Sequence, residues 1–292
     1  GEYGEPADTL QAVKAIRQEW CDHVWQVETP SDLPKLAEPG DNVLTRPSVD
    51  RLRGAIGSFK RRTGLGGDSL HPRHVGLMDD QGLESLIDLF MLMERFLIVP
   101  TLCQLLLMAF IPKATGGLRP IGLFCTIMRI WTKLRRDEVR QWELSCQRPF
   151  IWGGASKSAE SAVWDMAFYS ETSTAVGCVA LAGLVDIIKC YEQVDHGILI
   201  NVCREVGFPL RLASLAVLSY RVKRRVVINK CSSEPFVVQR TIVAGCGFAT
   251  ALLKALAVVL GDRMYKRYST VRLWVYVDDM TVQVVSAPGM VV

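Results

Sequence analysis

Tyr276-Val277-Asp278-Asp279 is the stretch on which the reading of the chain turns. It lies between two apolar runs, 271–275 and 280–285, whose length and Val-rich composition predict β-strands. Two carboxylates at the tip of the hairpin joining them are poor core material, because unpaired buried charge is costly. They are either solvated in a turn or hold a cation. A second apolar run, 181–185, ends on Asp186. If the strands are neighbours, Asp186 and Asp278 converge at one sheet edge. Two carboxylates there could hold Mg2+, which takes protein and phosphate oxygens together.

The chain has 292 residues, 49% of them hydrophobic, enough for one large domain or two smaller ones. Its net charge of +4 is modest, but the cations are grouped: Lys60-Arg61-Arg62, Lys133 with Arg135-Arg136, Arg221 with Lys223-Arg224-Arg225, and Lys266-Arg267. Such groups suit either solvated helix faces or a protein that tracks a phosphate backbone. The nine cysteines form no CxxC pair and sit mostly in apolar runs. They read as small buried hydrophobes in a reducing compartment, not as a disulfide framework or zinc site. The expected location is therefore intracellular, nuclear or cytoplasmic. The N-terminus is polar and charged, without a secretory signal. Residues 96–111 and 243–260 are the most membrane-like stretches, but Pro100 and Gln104 interrupt the first and Lys254 the second. Both are expected to be buried elements, with no membrane partner.

In chain order, the pattern predicts a helix over 7–20, a Pro-rich connector over 28–46 and a basic helix from a Ser48 cap to residue 62. A Gly-rich loop at 63–72 lacks the GKS/T ending of a Walker phosphate loop. An apolar helix opening at Asp79 or Asp80 runs to 99. Pro112-Lys113 and the 116–121 segment bracket a turn, so Lys113 and Arg119 project from a hairpin. They are either solvated loop cations or a grip on a triphosphate, Arg offering a fork and Lys a point charge. Helices follow over 126–144 and 158–170, then a buried strand over 179–185. Asp195 caps a helix to 206, and Pro209 starts another to 220. Strands over 223–228 and 235–242 precede Gly245, Gly247 and a helix over 249–268. The order is α+β, with carboxylates at strand ends.

These residues resemble the reverse transcriptases (RNA-directed DNA polymerases), especially those of non-LTR retroelements and group II intron-like elements. The likeness covers roughly 64–285. Residues 184–196 are similar to the first palm motif, D-x-S-K-A-F-D-x-V-D-H. Asp186, Lys189, Val194, Asp195 and His196 keep their places, and Tyr191 stands at the aromatic position. Residues 276–279 match the family's Y-x-D-D. Residues 67–72, 112–121 and 158–164 resemble its fingers segments and the helix after them. Residues 244–249 fall where the family has Q-G-x-x-x-S/A. There Ala244 replaces the usual Gln, and Glu192 replaces the usual Asp of the first motif.

The resemblance implies a right-hand polymerase: an N-terminal helical extension at 1–62, a fingers-like region at 63–177, and a palm at 178–292 whose antiparallel sheet carries helices on one face. Thirteen residues follow Asp279, so the chain is expected to be a fragment truncated before the thumb. The implied activity extends a primer on an RNA or DNA template with deoxynucleoside triphosphates and two Mg2+ ions, for which Mn2+ can substitute. By the same likeness Asp186, Asp278, Asp279 and the Ile187 carbonyl hold the metals. Lys113, Arg119, Tyr191 and Gly245 meet the nucleotide, with Tyr191 either a sugar gate or a core aromatic. Lys60, Arg61, Arg62, Arg221, Lys223, Arg224 and Arg225 would hold nucleic acid. The alternatives are a degenerate, inactive retroelement remnant that only binds RNA or primer–template, and an unrelated α+β protein. The oligomeric state is left open.

Overall fold

The computed structural model describes residues 10–25, 33–38, 44–114, 116–154, 157–228 and 231–286. Parts of the expected 28–46 connector and of the 229–234 turn fall outside these. Helix α1 (Leu10–His23) turns Val13 and Trp20 inward. Helix α2 (Val49–Gly57) starts at Ser48, whose side chain accepts from the Arg51 N–H. It ends earlier than expected because Phe59 leaves the helix to enter the core. Helices α3 (Pro72–Val75) and α4 (Asp80–Phe96) follow, with Asp79 capping α4 through the Gly82 N–H.

Strands β1 (Leu105–Pro112) and β2 (Leu118–Leu123) form the hairpin that carries Lys113 and Arg119. The single helix expected over 126–144 is two, α5 (Thr126–Leu134) and α6 (Arg136–Ser145). At the break the Arg135 guanidinium is drawn into the core against Glu94 and is not the solvated cation its neighbours suggested. Helix α7 (Ala159–Ala175) is capped by Ser158 and precedes β3 (Val179–Asp186). Helices α8 (His196–Glu205, capped by Asp195) and α9 (Leu210–Tyr220) pack on each other. Strands β4 (Lys223–Ile228) and β5 (Cys231–Ser232), helix α10 (Ala249–Arg267), and strands β6 (Val271–Tyr276) and β7 (Asp279–Ser286) complete the chain.

Two sheets organise these elements. One has the order β2-β1-β4-β5, with β1 and β4 parallel; the other is antiparallel, β3-β7-β6. The fold is thus mixed α+β. No described helix is long and apolar enough to cross a membrane.

Three further expectations are corrected. Residues 235–242 form no ladder strand: they make only isolated bridges, Phe236 to Arg224 and Arg240 to Asp195. Pro235 lacks an N–H, and Ile242 donates elsewhere, to the Tyr191 carbonyl at 2.6 Å. Strand β3 forms where expected but is not buried. It is an edge strand paired only with β7, and Leu181, Leu184 and Val185 are all exposed. The chemical pattern is that of a covered strand, but among the described elements only α7 packs against it besides β7, and its larger side chains stay exposed. Arg224, grouped with its neighbours as a nucleic-acid contact, has 0% of its surface exposed. Along β4 successive side chains alternate faces, which sends Lys223 and Arg225 outward and Arg224 inward.

The buried pair Arg135–Glu94 clamps α4 to the α5–α6 break. Arg135 donates from Nε (2.6 Å) and Nη2 (2.7 Å), and the same carboxylate accepts from Trp131 Nε1 at 2.8 Å. Removing Glu94 leaves Nε and Nη2 of the buried guanidinium without their carboxylate, and only Glu138, at 2.9 Å from Nη1, still paired with it. Glu94→Ala is therefore expected to lower unfolding free energy by about 3–5 kcal/mol, measured by chemical denaturation. A loss below 1 kcal/mol would show that the clamp is not a stabilising contact.

Candidate active site

Register builds the site. The β3–β7 ladder sets Asp186 opposite Asp279, and the β6–β7 ladder sets Tyr276 opposite the same Asp279. Val277 and Asp278 are left as the two-residue tip. Val277 has φ +60°, the left-handed region that a β-branched residue seldom occupies, a strain of order 1–3 kcal/mol. The segment before it is braced: Val275 donates to the Phe150 carbonyl and accepts from the Trp152 N–H, both at 2.8 Å. The backbone of Gly153 also runs close, so that a Cβ there would come within 3.3 Å of the Val277 nitrogen. The tip is held by its neighbours, not by its own preference.

In front of this tip opens a cleft of about 890 Å³. Its lining includes Asp186, Ile187, Tyr191 and Asp278 from one side, Lys113 and Arg119 from the β1–β2 hairpin, and Ala244 and Gly245. Every residue proposed from sequence to hold metal or nucleotide reaches this one space, except Asp279, the first residue of β7 after the tip. Gly245 has φ +113°, and a Cβ there would collide with the Gly122 carbonyl. The Gly122 N–H donates to the Ala244 carbonyl at 2.6 Å. Ala244 and Gly245 thus join the β2 backbone to the cleft floor, a role that needs the glycine and uses only the backbone of Ala244.

Asp186, Asp278 and Asp279 are exposed. Burial pushes the Cys190 thiol up to about 11, and the carboxylates of Asp278 and Asp186 both add to the rise. Burial likewise pushes the Tyr191 hydroxyl up to about 12, with Asp278 the next contributor. Both carboxylates therefore project their charge onto the Cys190–Tyr191 turn.

Among the described residues no group of three or more His, Cys, Asp or Glu side chains is placed to hold a metal ion. The available donors are the Asp186 and Asp278 carboxylates and the Ile187 carbonyl, which already accepts from the Cys190 N–H at 3.1 Å. This all-oxygen set with two negative charges fits a hard divalent cation, which keeps water or phosphate oxygens as its remaining ligands. It does not resemble a closed metal cage.

The basic groups divide. Lys60, Arg61 and Arg62 are exposed beyond α2. Lys223 and Arg225 line a separate groove of about 520 Å³ with Gly66, Gly67 and Ser69 of the Gly-rich loop. Arg221 is half-buried. Sequence reasoning missed the α1 residues Glu19 and Trp20, which also line the main cleft. An inward tryptophan on an amphipathic helix was the available signal, but it did not say what it would meet.

No family model matches the chain, and no curated protein matches it in sequence. Over 64% of its length the chain is similar to several solved telomerase structures. They include apo telomerase from Candida tropicalis truncated from its C-terminal domain (TM-score 0.46, 11% identity, 45% of that chain covered). Others are telomerase from Candida albicans in complex with a TWJ fragment of telomeric RNA (0.43, 10%, 39%) and apo telomerase from Candida tropicalis (0.45, 10%, 40%). The chain spans less than half the length of each.

Proposed function

We propose that the chain is the fingers and palm of a reverse transcriptase of non-LTR retroelement type. It would extend a primer on an RNA or DNA template with deoxynucleoside triphosphates. On this reading residues 63–177 are the fingers-like region, 178–292 the palm and 1–62 an N-terminal helical extension. The observation that carries it is the single cleft whose lining includes Asp186, Asp278, Lys113, Arg119 and Tyr191 together.

Asp186 and Asp278, with the Ile187 carbonyl, would hold the Mg2+ ions, with Asp279 orienting the pair from the first position of β7. When bound, the metal would acidify the primer hydroxyl and stabilise the leaving pyrophosphate. The chain's own residues would do the rest. Lys113 and Arg119 would neutralise the outer phosphates, a contribution of the kind on which phosphoryl transfer depends. Tyr191 would lie beneath the sugar. Lys223 and Arg225, and separately Lys60, Arg61 and Arg62, would hold the nucleic-acid backbone, with Arg221 beside them.

The test is primer extension by the 292-residue chain on RNA and DNA templates, with and without Mg2+ or Mn2+. Metal-dependent incorporation that falls on Arg119→Ala through a rise in nucleotide KM of ~10-fold or more is the expected result. Nucleotide or template binding without any extension would favour the inactive-remnant reading, and neither binding nor extension would overturn the assignment.

A further inference from the structure

The residues that close α1 sit in an aromatic and polar cluster that the polymerase reading does not use. After His23 the chain folds back, with the Val24 and Trp25 N–H groups both donating to the Trp20 carbonyl. The two indoles pack 5.2 Å apart, and Trp20 meets Phe110 of β1 edge-on at 5.1 Å. Trp25 stacks on Phe236 at 5.5 Å. Its Nε1–H donates to Glu192 at 2.5 Å, across 167 positions of sequence. The same carboxylate oxygen accepts from Thr241 Oγ1 at 3.0 Å.

Glu192 is the residue after Tyr191, in the same 3-10 turn Cys190–Gln193, and is buried. A buried acidic side chain that accepts only two hydrogen bonds is expensive unless those bonds hold something in place. Here both bonds hold the turn. One bond ties the turn to the end of α1, and the other ties it to Thr241. The next residue, Ile242, donates to the Tyr191 carbonyl. On the mouth side the Lys189 ammonium rests over the Trp20 ring at 4.4 Å, an attraction that adds to the same docking. Trp20 and Glu19 then line the cleft directly.

We propose that α1 is a fixed wall of the nucleotide cleft, and that Glu192 is the positioning residue that locks this wall to the turn bearing Tyr191. The inference rests on the polymerase reading of the cleft. It assigns to the N-terminal helix a part in sugar selection: with the clasp broken, the turn can move and the Tyr191 ring no longer has one place beneath the sugar. The groups charged or titratable around Glu192 are Arg224, buried behind Trp25, and Lys189 on its own turn.

The experiment uses the full chain as wild type and as Glu192→Ala, Glu192→Gln, Trp25→Phe and Trp20→Phe. Three quantities are read: thermal unfolding, tryptophan emission on adding a deoxynucleoside triphosphate with Mg2+, and the ratio of kcat/KM for deoxy- over ribonucleotides. Of the chain's seven tryptophans, Trp20 is the one among the described cleft-lining residues. Its replacement should therefore remove most of the nucleotide-induced emission change. Glu192→Ala and Trp25→Phe should lower the discrimination ratio by ~10-fold or more, the scale on which a small displacement of a positioning group is felt. Glu192→Gln keeps an acceptor oxygen and should retain most of the ratio.

Folded Glu192→Ala and Trp25→Phe proteins that discriminate as the wild type does would overturn the clasp, as would an undiminished emission change in Trp20→Phe. Should Glu192→Ala fail to fold, Trp25→Phe, which keeps a ring in the same seat, decides the matter. A wild type that shows neither an emission response nor extension overturns the polymerase reading itself, a result distinct from either of these.

Discussion

Asp278→Asn is expected to lower metal-dependent extension by roughly 10³-fold, the scale on which a charge that stabilises phosphoryl transfer is felt, and to leave the melting temperature unchanged. The carboxylate stands on the exposed tip of the β6–β7 hairpin. A near-isosteric exchange at such a position costs the fold within about 0.5 kcal/mol. The loss would therefore be chemical: an amide retains the shape and one acceptor but gives up half of the negative charge shared with Asp186. The companion change Asp279→Asn should cost less, about 10- to 100-fold, because that residue is not among those lining the cleft. Single-turnover extension with Mg2+ titrated for each variant separates the two. Unimpaired extension by Asp278→Asn would remove Asp278 from the reaction.

Tyr191→Ala is expected to raise the use of ribonucleotides relative to deoxynucleotides by ~10²-fold, comparable to what one steric feature contributes to selectivity. Deoxynucleotide incorporation itself should fall much less. The separation is possible because the turn does not depend on the ring. The Tyr191 carbonyl is tied to the Ile242 N–H, and the Glu192 N–H donates to the Lys189 carbonyl at 2.8 Å. Removing the half-buried ring thus opens space at the cleft floor without releasing the floor. The competing view, that Tyr191 is a core aromatic, makes a different forecast: a stability loss near 3–5 kcal/mol and an unchanged sugar ratio. Steady-state competition between the two nucleotide types, with a melt on the same sample, decides between them.

The parts of this site that were legible in the sequence are those governed by local pattern. Asp186 and the 278–279 pair stand at the ends of strand-forming runs, so their place at a sheet edge follows from period and length. The helix caps at Ser48 and Asp195 were equally local. What composition cannot tell is coverage: 179–185 has the chemistry of a buried strand, yet only β7 pairs with it. Arg224 shows a signal present but unused, since a strand at 223–228 already implied that alternate cations point to opposite faces. Arg135 carried no such clue. Its partner Glu94 lies on another helix, and a cation seeking a buried carboxylate looks like any other in sequence. The Trp25–Glu192 contact was beyond reach for the same reason, as it joins the start of the chain to its middle.

The parallel pairing of β1 with β4 has a consequence for how the molecule comes to be folded. Leu105 waits for Lys223, so this sheet cannot close until α5 to α9 have been made, and contacts so distant in sequence form slowly. The seat of α1 is later still, for it is built from Phe110 on one side and from β4, β5 and Phe236 on the other. During synthesis α1, which is made before the strands that seat it, would be among the last of these elements to find its place. Until then Trp20 and Trp25 would remain in water, an apolar surface for a chaperone to shield while the rest of the chain catches up.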